Sequence, residues 1–210
     1  MLTLAVETST AAFAVALGDG PRPIVDTVLE RAAPRDRNLP ELVANLVAGA
    51  GHAFADLERI AVDVGPGNLT AVRTGVAYAN GLAFALGIGV VTADSLELMA
   101  EQAGPPALCL RNAGGGNVYG RLDGRYLHGR LAEVAGQVRT AEIAVAGDFR
   151  AEIDRLLPGV LVKDTGIAGP DTATLLRLTA GRTPLDPTRE RAAAPLTETS
   201  PLFETSRPDA

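Results

Sequence analysis

Residues 60–86, IAVDVGPGNLTAVRTGVAYANGLAFAL, constrain the fold more than any other stretch of the chain. They open as a short apolar run in which Asp63 is the only charge, turn at Gly65-Pro66-Gly67, and continue without proline in an apolar pattern of helical spacing. That order predicts a buried strand, a tight turn and a long helix. Asn68 and Thr70 are the candidate N-cap residues, because their side-chain oxygens can accept from the helix's first free N–H groups. Ala71, Gly75, Ala79, Ala83 and Gly87 recur every four residues and share one helix face. A face that small admits a close backbone, either the chain's own sheet or another subunit.

Upstream, residues 2–6, 12–17 and 23–29 are apolar runs parted by Thr8-Ser9-Thr10 and Gly18-Asp19-Gly20, which predicts an antiparallel meander. The period then changes. Leu39, Leu42, Val43, Leu46 and Val47 fall on one face of a helix, with Pro40 in its first turn. After the central helix come a short strand at 90–92 and a helix capped by Asp94 or Ser95 and running to Ala103. The order is β-β-β-α-β-α-β-α. Gly104-Pro105-Pro106 breaks the chain, and a fainter second copy follows. Its expected strands are 107–110, 117–122, 126–134, 143–146 and 160–163, with helices at 149–157 and 172–179 and the long central helix missing or shortened. The expected architecture is α/β, two lobes at 1–104 and 105–182, the second reduced, with an irregular tail at 183–210.

Charge and composition narrow the chemistry. The net charge of −6, from 25 acids against 19 bases with no basic block, makes the whole chain a poor holder of nucleic acid by phosphate neutralisation alone. The single cysteine, Cys109, rules out an internal disulfide framework and sits in an apolar run, as a core thiol does. The chain opens LTLAVETST without a basic leader, and the apolar stretch 76–91, which contains Asn80 and several glycines, falls short of a membrane span. A soluble, cytoplasmic protein is expected. His52 and His128 are the only histidines and have no metal-ligand spacing. The turn at 65–67 lacks the Gly-Lys-Ser/Thr of a nucleotide loop. It either shapes the chain or presents free N–H groups to an anion at the helix start.

The order of elements, given twice, is similar to the actin, hexokinase and Hsp70 superfamily, an actin-like (ribonuclease H-like) fold. Within it, Leu4-Ala5-Val6-Glu7-Thr8-Ser9-Thr10 resembles the opening of the TsaB (YeaZ) proteins, and Gly65-Pro66-Gly67-Asn68-Leu69-Thr70-Ala71-Val72-Arg73-Thr74-Gly75 resembles their most distinctive motif. Asn112-Ala113-Gly114-Gly115-Gly116-Asn117-Val118-Tyr119 resembles their second hairpin, and Pro201-Leu202-Phe203 their tail motif. The resemblance implies a non-catalytic subunit of the bacterial machinery that forms N6-threonylcarbamoyladenosine next to the anticodon of tRNAs reading codons that begin with A. It implies docking on the transferase TsaD through helices of the first lobe, with the ATPase TsaE joining and tRNA reached through the complex. Nucleotide and metal are expected on those partners, with no cofactor and no catalytic residue on this chain. Glu7 stands where the superfamily usually has Asp, and Asn112 where the family commonly has Asp, which weakens a Mg-ATP site. Leu39, Leu42, Leu46, Leu69, Val72, Arg73, Val76 and Ala79 are the expected contact residues, and self-pairing through the same surface is expected at high concentration. The alternative is a stand-alone nucleotide-binding enzyme of the superfamily, a small kinase or ATPase.

Overall fold

The computed structural model describes residues 1–29, 38–186 and 192–204. Strands β1 (Leu2–Glu7), β2 (Phe13–Asp19) and β3 (Arg22–Leu29) form the meander, each antiparallel to the one before. Helix α1 (Leu39–Gly49) then carries the chain to β4 (Arg59–Asp63), which lies parallel to β1. Helix α2 (Leu69–Leu86) carries it on to β5 (Gly89–Ala93), parallel to β4. Parallel neighbours require such crossovers. The sheet order is β3-β2-β1-β4-β5. Central strand β4 is buried at every position, as its near-continuous apolar run requires.

The second sheet repeats this plan. Strands β6 (Ala107–Gly114), β7 (Asn117–Leu122) and β8 (Arg125–Arg130) form the meander. Helix α3 (Ser95–Ala103) precedes them, and α4 (Leu131–Ala135), β9 (Glu142–Gly147), α5 (Arg150–Leu156) and β10 (Leu161–Asp164) follow. The order β10-β9-β6-β7-β8 is that of the first sheet, so the duplication faint in the sequence is plain in the topology. The second copy is reduced: α4 has 5 residues and α5 has 7, where α1 has 11 and α2 has 18. The strand expected over 126–134 stops early. Glu133 accepts the Arg130 N–H at 3.1 Å and turns the following residues into α4.

The chain forms two compact units whose limits differ from the sequence divisions at 104 and 182. The first takes the described residues of Met1–Asp94 and Asp171–Pro195, and the second those of Ser95–Pro170 and of the tail from Leu196. Helix α3 belongs with the second sheet because Leu96 and Met99 pack with Ala107, Cys109 and Ala146. Helix α6 (Thr172–Thr179) belongs with the first, where Leu175 and Leu176 are fully buried. Residues 192–200 hold no strand or helix, and a short helix α7 (Pro201–Glu204) follows. Among the described residues no helix is long and apolar enough to cross a membrane.

In the first unit, α1 and α2 cover one face of the sheet. Leu39, Val43, Val72 and Val76 meet Leu4, Val6, Val15, Leu17, Ile60 and Val62 there. Gly18 follows Leu17 and points the other way, into Leu176 of α6; a Cβ on it would lie 2.7 Å from the leucine's Cδ1. Of the two N-cap candidates it is Asn68 that caps α2, its Oδ1 accepting the Ala71 N–H at 3.2 Å, and Gly87, expected only as part of the small stripe, closes the other end in the left-handed region at φ 67°. The small stripe of α2 faces inward. A Cβ on Gly75 would lie 2.3 Å from Thr8 Oγ1, whereas one on Gly81 would meet nothing within 4 Å.

Gly75→Ala should therefore destabilise the first unit by about 1–3 kcal/mol through overpacking. Gly81→Ala should raise stability by up to ~1 kcal/mol through helix propensity. Urea unfolding of the two variants checks the contrast.

Candidate functional site

In proteins of this architecture, strand ends at the sheets' carboxyl edges are where chemistry would be sought. Here the polar side chains at four such ends turn back on their own chain. Glu7, at the end of β1 and only 2% exposed, accepts the Ser9 N–H at 2.5 Å and the Ser9 hydroxyl at 2.6 Å. Asp63, at the end of β4 and fully buried, accepts the Gly65 N–H at 2.8 Å. Asn112 in β6 accepts from Gly114 N at 2.8 Å, and Asp164, closing β10, accepts from Gly166 N at 2.8 Å. Each oxygen meets the N–H two residues ahead, the local closure that Asp and Asn favour in turns. Glu7 makes the same closure with a side chain one methylene longer. The Gly166 N–H, aided by the Arg150 guanidinium at 2.7 Å, holds the Asp164 carboxyl below its usual range. Among the described residues no group of three or more His, Cys, Asp or Glu could hold a metal ion.

The Gly65-Pro66-Gly67 turn locks α2 onto the loop between β1 and β2. Asn68 N donates to Ser9 O at 3.0 Å, and Thr8 Oγ1 donates to Ala71 O at 2.9 Å. Gly67 lies so close to Ser9 that a Cβ on it would sit 2.2 Å from the serine's carbonyl oxygen. The N–H groups of Gly65, Asn68 and Ala71 are thus taken up by Asp63, Ser9 and the Asn68 side chain. Of the two uses open to this turn, the geometry favours shaping the chain over holding an anion.

The expected contact residues divide sharply. Leu39, Leu46, Val72, Val76 and Ala79 lie in the first unit's own core, and Leu42 is partly buried against it. The five core residues are not offered to a partner in the free chain, which corrects the expectation for them. The inward stripe was singled out for its small residues, yet that smallness serves the approach of α2 to Thr8 and the sheet. Leu69 and Arg73 do face outward, Leu69 being 40% exposed.

The outward face of α2 joins Arg73 to residues not expected there, among them Ala77, Gly81, Phe84 and Ala85. Thr70, Arg73, Ala77, Gly81, Phe84 and Ala85 are all exposed, and Phe84 shows 65% of its surface. Ala77, Gly81 and Ala85 make a second stripe spaced by four, parallel to the buried one. The signal that could have found it is charge: Arg73 is the one charged residue in the helix. A helix with one face in water ordinarily carries charges there.

The family model described as TsaD: tRNA N6-adenosine threonylcarbamoyltransferase matches residues 32–147, more than half of the chain. The chain belongs to the TsaD family. Among TsaD-family relatives, the tRNA N6-adenosine threonylcarbamoyltransferase of Solidesulfovibrio magneticus is 35% identical over 144 residues, 59% of this chain and 39% of that protein. The tRNA threonylcarbamoyladenosine biosynthesis protein TsaB of Haemophilus influenzae is 34% identical over 101 residues, 48% of this chain and 42% of that protein. The chain thus spans less than half the length of these curated relatives. Among solved structures, YeaZ from Pseudomonas aeruginosa superposes with a TM-score of 0.77 at 25% identity, covering 93% of this chain and 98% of that one. The expected likeness to TsaB (YeaZ) and the actin-like α/β fold are both found.

Glu7→Ala would leave the Ser9 N–H without its acceptor inside the buried turn and should cost about 1–3 kcal/mol of stability. Glu7→Gln keeps an acceptor oxygen and should recover most of that loss. Urea denaturation of the pair measures both.

Proposed function

We propose that the chain is an accessory, non-catalytic subunit of the apparatus that makes N6-threonylcarbamoyladenosine in tRNA, and that it docks on a TsaD-type transferase through the outer face of α2. One observation carries this reading. The longest helix of the first unit turns outward a strip of small residues ending in Phe84, with Arg73 its sole charge. Small residues at Ala77, Gly81 and Ala85 let a partner helix come close, and Phe84 and Leu69 are the apolar anchors. The names of the relatives, a transferase and TsaB, supply the partner and the pathway chemistry.

The carboxylates support the non-catalytic part. Phosphoryl transfer depends on acids that present oxygens to a metal or to the attacking water. Glu7 and Asp63 instead spend oxygens on their own turns. Nucleotide and metal are accordingly assigned to the partners, TsaD and the ATPase TsaE, with tRNA engaged by the complex in the cytoplasm. A second copy of this chain can occupy the same face when the transferase is absent.

The test is co-elution of the purified chain with TsaD from the same genome. The wild type should form a complex. Gly81→Arg and Phe84→Glu should abolish it while leaving the thermal melting transition of the free chain within a few degrees, since both sites are open. Leu46→Glu should unfold the first unit instead, because it places a charge in the core. Equal binding by wild type and both surface variants, or turnover of Mg-ATP by the chain alone, would overturn the assignment.

A further inference from the structure

The second unit's sheet has a face that the proposed docking does not use. Helices α4 and α5 cover one side, packing on Leu108, Leu110, Val118 and Leu122. On the other side, α3 packs over Ala107, Cys109 and Ala146 in a core that Tyr119 and Phe203 join, and cross-strand pairing sets Arg121 beside Tyr126, Tyr119 beside His128 and Asn117 beside Arg130. These six side chains include no carboxylate. The Tyr119 and His128 rings stack at 5.1 Å, and the Arg121 guanidinium lies 5.7 Å over the Tyr126 ring. Arg121 Nε is buried without a hydrogen-bond partner among the described residues.

The β8 end of this face is covered by the tail. Phe203, 3% exposed, sits 5.1 Å from the Tyr119 ring and meets Tyr126 and His128 edge-on at 5.7 and 6.3 Å. Glu198 Oε2 accepts the Tyr119 hydroxyl at 2.8 Å. Burial, then that carboxylate, push the Tyr119 phenol up to about 12. The tail thus contributes one ring and one anion to a surface made of rings and guanidinium groups. An unpaired nucleotide offers the same two groups, and proteins take single strands by stacking bases on aromatic rings beside arginine.

We propose that this β7–β8 face binds an unpaired stretch of RNA, and that residues 196–204 occupy it in the free chain, Phe203 in the place of a base and Glu198 in the place of an anionic group. A peptide would satisfy the rings, but a nucleotide brings an anion with every ring, which suits Arg121 and Arg130. The acidic balance of the whole chain is no obstacle, because the carboxylate that meets Tyr119 on this face leaves with the tail. The inference rests on the reading that the substrate is a tRNA, whose target base lies in an unpaired loop.

The test titrates the full-length chain with a fluorescent anticodon stem-loop RNA. Phe203→Ala and Glu198→Gln should each bind it roughly tenfold tighter than the wild type, the scale of one base stacking on an aromatic ring. Adding Arg121→Ala to either should remove the gain, and a fully paired RNA should show none. Glu198→Gln removes no apolar area, so it decides the matter if Phe203→Ala fails to fold. Folded tail variants that bind no tighter, a gain that survives Arg121→Ala, or an equal gain for an acidic phenylalanine peptide with none for RNA would overturn the proposal. TsaD co-elution through α2 is read separately: a chain that keeps it without the RNA gain loses only this inference, and an RNA gain without co-elution loses only the docking.

Discussion

The first unit depends on how closely α2 approaches the loop between β1 and β2. Gly67 and Gly75 leave room for the Ser9 carbonyl and the Thr8 side chain, and hydrogen bonds from Asn68 N and Thr8 Oγ1 fasten the two segments together. A methyl group at either glycine would push the helix off the sheet. With α2 held there, Val72, Val76, Ala79 and Ala83 fill the core beside it, and Ala77, Gly81 and Phe84 are forced to the outside. The outward strip is thus a consequence of the inward contact.

Much of this was legible in the residues. The change of period at Leu39, the turn at 65–67, the N-cap of α2 and the repeated order of elements all follow from local pattern, and the structure keeps them. What was not legible is which of two parallel small stripes turns inward. Ala71-Gly75-Ala79-Ala83 and Ala77-Gly81-Ala85 have the same spacing and nearly the same composition, so periodicity cannot separate them. The choice is made by Thr8, more than sixty positions away. The lack of charge along the helix was the signal that one side would be left apolar, and it says nothing about which.

The limits of the two units differ from 104 and 182 for a related reason. Gly104-Pro105-Pro106 ends a helix, and a break in the chain resembles a boundary. Packing need not respect it: α3 ends there, yet its leucine and methionine belong to the core around Cys109. The strand-end turns show the converse. Glu7 and Asn112 sit on equivalent strands of the two copies, Asp63 and Asp164 on strands that do not correspond, and each of the four closes a turn of its own.

The return of α6 to the first sheet bears on how the polypeptide is made. Helix α6 lies against all five strands of that sheet, with Leu175 and Leu176 fully buried and Gly18 shaped to receive one of them. Synthesis delivers the five strands early and this helix late. During translation one side of the finished sheet must wait bare while the entire second sheet emerges from the ribosome, so the amino-terminal half cannot mature before the carboxy-terminal half has been read out.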